Sequence, residues 1–482
     1  MIEPNMKESA AAKIMINVGC LFDVPTGYIL TGAHGESILN GGLGMLTAIT
    51  GIGNSFKSTL LYYQMLAAAS RVFPAKETYL MTYDTEINIH EERLKRFTQT
   101  FPPFKERDII SEGWWKLTDK TVYYGNEWYE LFRTYLQEKL KTPQKEYLVT
   151  PFLDRDKKSF IATLPPTFSA IDSFTEFDTE DVVRIQDENE LGEAGGNTIF
   201  MRQGLAKARL LMELPTLCGK SQNYFLMTAH LGKDMQIASG PYTAPPTKKL
   251  QQLRAGDKVK GVTDRFFFLL NNFWQVYNSA PLLNDNTKGP EYPIRSDDPQ
   301  PGNLDLNVVT VKLLRSKSGP SGTTFDVVVS QTEGVLPSLT EFHYIKSQKR
   351  YGLEGNLQNY HLSIYPELNL TRPTIRSKID QDAKLRRALN ITAELCQMSQ
   401  LWYAHAHLLC DPKTLYEDLK KQGYDWDMLL RTRGYWCYNN DEVAPVYLST
   451  MDLLRMRLGL YHPYWLEEDK KTLKPGFSLA SS

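Results

Sequence analysis

From about residue 41 to residue 330, short apolar runs alternate with segments of helical period, a pattern that predicts a mostly parallel sheet covered by helices. Met45–Thr50 (MLTAIT), Thr78–Tyr83 (TYLMTY), Phe168–Ile171 (FSAI) and Tyr224–Thr228 (YFLMT) are short and apolar enough to be buried central strands. Arg265–Leu270 (RFFFLL), Leu306–Leu314 and Thr324–Ser330 are expected to continue the sheet. The last two flank RSKSGPSG, whose Gly and Pro content predicts a hairpin loop.

Between Glu86 and Phe168 the chain reads as an insertion near residues 100–165, with a helix over Glu127–Leu140 and a hairpin-like TPFLDRDKKSFIATLPPTF. Pro, Gly, Asn and Asp accumulate from Asn278 to Asn303, the composition of an exposed loop. Beyond about residue 345 the segments become longer, helical and rich in Leu, Tyr and Trp. The expected organisation is α/β: an N-terminal segment (1–40), a sheet-based core (41–345) and a mainly helical C-terminal domain (346–482). No internal repeat or low-complexity tract suggests an array.

Composition narrows the class of protein. The 482 residues carry 55 Lys plus Arg against 56 Asp plus Glu, a net charge of −1, and 42% are hydrophobic. That is enough apolar material for a globular core and too little positive charge for a uniformly basic coat, so nucleic-acid binding would have to be local. Five scattered cysteines form no CxxC pair, which suggests neither zinc nor a disulfide framework and fits a reducing cytoplasm. With no leader-like start and no window of about 18 apolar residues, neither secretion nor membrane spanning is expected.

The strongest local signal is Gly51-Ile52-Gly53-Asn54-Ser55-Phe56-Lys57-Ser58, between the strand MLTAIT and the helix STLLYYQMLAAAS. It fits the GxxxxGK[ST] P-loop frame except that Phe56 replaces the second glycine. In that geometry backbone N–H groups from Gly51, Gly53, Asn54, Ser55, Phe56, Lys57, Ser58 and Thr59 surround the phosphates of ATP, Lys57 bridges β and γ oxygens, and Ser58 holds Mg²⁺. A plain Gly-rich turn is the alternative, but it would not require Lys and Ser at the helix start. A dinucleotide fingerprint fails for want of a third glycine.

Asp172 ends FSAI, where a P-loop protein orders Mg²⁺ and its waters, or where a helix is capped. Glu86 closes TYLMTYDTE at the carboxyl end of a strand, placed to orient or deprotonate water; Asp84 competes with it, and both could be merely solvated. His230 ends YFLMTAH and reads as a nucleotide contact or a structural histidine. Arg315 and Lys317, in LLRSKSG, are either solvated turn residues or cations reaching a neighbouring subunit's γ-phosphate. Lys233, Lys248, Lys249, Arg254, Lys258 and Lys260 face only Asp234 and Asp257 in the stretch after His230. This local basic patch suits a nucleic-acid backbone, the alternative being an ordinary solvated loop.

With these residues in place the chain resembles the RecA-type strand-exchange ATPases, and most closely their bacteriophage UvsX-type branch, which shares a P-loop ending Ser-Phe-Lys-Ser as in Ser55–Ser58. The resemblance covers roughly residues 22–332 and implies a RecA-like P-loop ATPase core. It implies Glu86 as the water-activating base with Lys57 and His230 also catalytic, Asp172 with Ser58 as the metal partners, and His230 as the sensor linking nucleotide to DNA. It implies Lys248, Lys249, Arg254, Lys258 and Lys260 in a second DNA-binding loop, with a first loop at Asp178–Met201. The function implied is ATP-dependent pairing and exchange of single-stranded DNA with duplex DNA by a homo-oligomer, filament or ring, working in the cytoplasm with replication or recombination accessory proteins. A ring-forming replicative helicase and a KaiC-like regulatory ATPase are the competing readings. KESAAAKIMINVG is the candidate oligomerisation arm.

Overall fold

The computed structural model describes residues 14–154, 159–188, 196–233, 250–294, 303–356, 358–438 and 445–480. Ten strands form the central sheet: β1 (Leu46–Gly51), β2 (Leu80–Asp84), β3 (Trp115–Asp119), β4 (Thr167–Asp172), β5 (Asn223–Lys233), β6 (Asp257–Val259), β7 (Asn272–Pro281), β8 (Leu306–Ser316), β9 (Thr324–Ser330) and β10 (Gly334–Val335). Their order is β10-β9-β8-β7-β1-β5-β4-β2-β3, with β6 paired beside β5. From β7 to β3 the pairings are parallel, and β8 to β10 extend the sheet antiparallel. The molecule is therefore mixed α/β around a large, mostly parallel sheet. Among the described residues, no helix is long and apolar enough to cross a membrane.

The central strands follow from their composition. All six residues of β1 and of β4 are buried, as expected of strands covered on both faces. Helix α1 (Lys57–Ser70) is buried at all but one of its 14 positions, which its run of Leu, Tyr, Met and Ala permits on every side. Helices α2 (Glu91–Thr98), α3 (Gly125–Lys139) and α4 (Gly196–Ser221) lie in the connections.

Register fixes what meets at the sheet edge. Gly51 pairs with His230, Asp84 with Asp172 and Ile171 with Met227, so β2 and β4 end about two residues short of the Gly51–His230 pair at the same edge, and β5 runs on to Lys233.

Several expectations need correction. Arg265–Leu270 is not a strand: Asp264–Leu269 forms helix α5, burying Phe266 and Phe267 together while Phe268 stays exposed. Two consecutive buried aromatics break the two-residue alternation of a one-sided strand, whereas one turn of helix can pack them against Phe174 and Phe273. The strand in this region is β7, whose last residues run into the stretch expected to be loop. Within that stretch Tyr292 is fully buried, with its hydroxyl 2.9 Å from His343 Nδ1. The insertion does more than decorate the sheet. It supplies the edge strand β3, and Trp128 of α3 stacks on Tyr83 of β2 at 5.1 Å.

The C-terminal region opens with a three-stranded antiparallel sheet (Leu353–Gly355, Tyr360–Leu362, Tyr365–Leu370) before helices α6 (Ala383–Leu401) and α7 (Thr450–Arg457). It shares one apolar core with the central sheet. Trp436 packs edge-on to Phe152 at 4.8 Å, and the Asp452 carboxylate accepts the Ser37 N–H at 2.8 Å. In the N-terminal segment, Ile16 and Val18 are buried in that same core, and residues 28–40 form a hairpin. Residues 1–13, most of the candidate arm, lie outside the described residues.

Candidate active site at the carboxyl edge of the sheet

The Gly51–Ser58 turn leaves β1 and opens α1 with Asn54 at φ 54° and Phe56 at φ 64°. Phe56 holds the left-handed conformation at the position where the motif ordinarily has glycine, while its ring packs against the apolar core. The loop therefore keeps a glycine-type bend without the glycine, at a backbone cost of about 1–2 kcal/mol. Gly53 has open space where a β-carbon would sit. Such alternation of backbone conformations points successive N–H groups into one concavity that accepts anions.

Lys57 is buried, and its Nζ donates to Ile52 O at 2.7 Å. Burial lowers its pKa, opposed by the charges of Glu86 and Asp172. Asp172 is buried at the end of β4 and accepts hydrogen bonds from the hydroxyls of Thr228 and Tyr62, the latter at 3.1 Å, with Ser58 beside it in the same cleft. Desolvation raises its pKa in spite of those donors. A carboxylate held by two hydroxyls beside a lysine and the Ser58 hydroxyl suits a divalent cation, which would take the Ser58 hydroxyl and, directly or through water, Asp172.

Glu86 and Asp84 prove to have different work. The Asp84 carboxylate accepts the backbone N–H groups of Glu86, Asn88 and Ile89 at 2.9, 2.6 and 2.8 Å, so it organises the loop after β2. Glu86 is left to project into the cleft, where its Oε1 lies 2.6 Å from His230 Nε2. That hydrogen bond, ahead of the opposing effect of burial, lowers the Glu86 pKa and keeps it ionised. Thr85 Oγ1 holds the Ser173 backbone from both sides, accepting its N–H at 2.8 Å and donating to its carbonyl at 2.7 Å. The ends of β2 and β4 are thus locked together.

These residues line one cleft of about 610 Å³ that contains Gly53, Lys57, Ser58, Glu86, Asp172 and His230. The structure brings together the candidates assigned to nucleotide or metal, with Gly51 buried just behind them at the end of β1. It also adds residues that the sequence reading missed. Tyr62 stands one helical turn beyond Ser58, a spacing that places both on one face. Thr228 precedes His230 by two residues on the same face of β5. Arg93, from α2, donates to Thr59 Oγ1 at 3.2 Å and lines the cleft, with no spacing signal to reveal it.

Arg315 and Lys317 are not brought to this cleft. They sit at the amino-terminal end of the parallel strands, where Asn272 pairs with both Thr47 and Ser316. Arg315 lies over the Phe268 ring at 5.7 Å and Lys317 Nζ donates to Leu269 O at 2.9 Å.

The basic stretch departs from β5 and returns as β6, antiparallel to it. Arg254, Lys258 and Lys260 are exposed there, whereas Lys233 is paired with Asp257. Lys248 and Lys249 lie outside the described residues. Lys260 N donates to His230 O at 2.8 Å, tying the return strand directly to the cleft. In the expected first loop, Glu180–Glu188 and the start of α4 are helical, and residues 189–195 lie outside the described residues.

Neither a protein-family model nor a curated protein sequence matches the chain.

Proposed function

We propose that this chain is an ATPase with a RecA-like core that binds single-stranded DNA as a homo-oligomer and promotes its pairing with duplex DNA. The observation that carries this reading is the Glu86–His230 contact of 2.6 Å, which opens on the cleft of Lys57, Ser58 and Asp172 and continues through the His230 backbone into the basic hairpin. A structural carboxylate would not need a position facing the anion-accepting turn.

In this reading Lys57 and the N–H groups of the Gly53–Ser58 turn bind the triphosphate, and Ser58 with Asp172 would hold Mg²⁺, which would supply neutralisation of phosphate charge. Glu86, kept ionised by His230, accepts a proton from the attacking water, and His230 fixes the direction of its carboxylate. The His230 backbone is joined to the end of β6, so the cleft connects directly to the hairpin that carries the exposed cations Arg254, Lys258 and Lys260. Those cations suit a phosphate backbone, which carries affinity without base reading.

The test compares ATP turnover, strand pairing and fork unwinding. Lys57→Ala should abolish turnover; Glu86→Gln should bind ATP and stall before hydrolysis. Unwinding without homologous pairing would favour the helicase, and turnover with no affinity for DNA the regulatory ATPase. Normal hydrolysis by Glu86→Gln would overturn the assignment of the base.

A further inference from the structure

On α4, Met201 and Leu205 are about three-quarters exposed. Lys207 turns inward and is 1% exposed. Its Nζ donates to Thr175 O at 2.6 Å and lies 5.8 Å from the Phe174 ring centroid. It approaches Gly261 so closely that a β-carbon there would come within 3.2 Å of it. Burial of this ammonium lowers its pKa to about 8, against the attraction of the Asp178 and Glu176 carboxylates.

The acceptor sits at a junction. Thr175 Oγ1 accepts the His230 N–H at 2.8 Å and donates to Lys260 O at 3.3 Å, while Lys260 N returns to His230 O. Three residues earlier the same segment begins at Asp172, and the Ser173 backbone between them is held by Thr85, the neighbour of Glu86. Thr175 therefore touches the backbone behind the Glu86 partner, the start of the return from β6, and α4 through Lys207. A buried ammonium deprived of its carbonyl would lose the acceptor it has, which is costly away from water, so Thr175 and Lys207 must move together.

We propose that Lys207 is a positioning residue: by holding Thr175 it couples the Glu86–His230 pair to helix α4 and to strand β6, so that nucleotide in the cleft changes the order of both. The proposal rests on the ATP reading above and names its internal regulation. A displacement of the His230 side chain toward or away from a γ-phosphate reaches its own backbone N–H. From there it passes to Thr175, and the Lys207 hydrogen bond carries it to the helix whose outer face is exposed.

The experiment is amide hydrogen exchange on the full chain, with and without a non-hydrolysable ATP analogue and Mg²⁺, alongside direct measurement of analogue binding. The wild type should bind and gain protection over residues 203–212 and 257–261. Lys207→Met should bind with unchanged affinity and lose that gain, and Lys207→Arg, which keeps the cation, should recover it. Thr175→Val breaks the same junction from the other side and should match Lys207→Met, which keeps the test decisive if the methionine variant fails to fold. Equal binding with undiminished nucleotide-induced protection in Lys207→Met or Thr175→Val overturns the relay alone. A wild-type chain that binds no analogue overturns the ATP reading and the relay with it.

Discussion

Nε2–H of His230 donates to Oε1 of Glu86 at 2.6 Å across 144 positions of sequence, and both side chains are about a quarter exposed to the same cleft. The contact gives the carboxylate a direction and, by lowering its pKa, favours the ionised form that can accept a proton, at some loss of basicity.

Glu86→Gln should therefore lower turnover by roughly 10²–10⁴-fold with nucleotide binding retained. His230→Ala should have a second signature. Without its donor, the Glu86 pKa returns upward, and the acid limb of the kcat/KM profile moves to higher pH. A pH profile of the variant that keeps the wild-type acid limb would dissociate Glu86 from the rate.

Asp84 should behave as a stability residue. Asp84→Ala leaves the N–H groups of Glu86, Asn88 and Ile89 without their acceptor and should cost about 2 kcal/mol or more. Urea unfolding measures this directly. An Asp84→Ala chain as stable as the wild type would make Asp84 a candidate base again.

At Phe56 two substitutions separate packing from backbone strain. Both Phe56→Ala and Phe56→Gly remove the ring, but only Ala keeps a β-carbon at φ 64°. The glycine variant should be the more stable of the two by about 1 kcal/mol. Paired unfolding curves in which alanine equals or exceeds glycine would remove the strain argument.

Replacing Arg254, Lys258 and Lys260 by alanine should weaken binding of single-stranded DNA and flatten its salt dependence, by roughly 0.7 in the log–log slope for each phosphate that is no longer neutralised. A salt titration with unchanged slope would leave these residues as an ordinary solvated hairpin.

The packing between the core and the C-terminal region should be sensitive to pH. Burial, reinforced by Glu394 and Asp23, raises the Glu341 pKa to about 8; Asp23 and Asp452 are raised to about 7 and about 6. A raised folded-state value means the folded chain keeps a proton the unfolded chain has released, so this stability is full at low pH and is lost as pH rises through these values. Thermal melts should fall across that window. Glu341→Gln, permanently neutral, should flatten the fall and melt higher than the wild type at the alkaline end. A variant that melts lower at every pH would mean that the carboxylate is stabilising in its charged form.

Much of the site was legible because its signals are local. A buried strand, a Gly-rich turn and a Lys-Ser helix start lie within about twenty residues, and Glu86, Asp172 and His230 each close an apolar run, although β2 stops at Asp84 and β5 continues past His230 to Lys233. A parallel sheet brings such ends to one edge whatever the length of the connections. Other decisions depended on partners far along the chain. Asp84 and Glu86 are two acidic residues at one strand end, and only the backbone donors around Asp84 distinguish them. RFFFLL has strand-like composition, yet Phe174 and Phe273 bury its adjacent rings from one side and select a helix. The short strands at 353–370 open a region otherwise patterned as helix, because strand pairing is a non-local gain that residue composition does not record. Sequence alone determined an α/β core and the order of its chemical groups along the chain. The tertiary structure decided which groups touch, since register, burial and the inward turn of Lys207 arise from packing between segments that no local spacing connects.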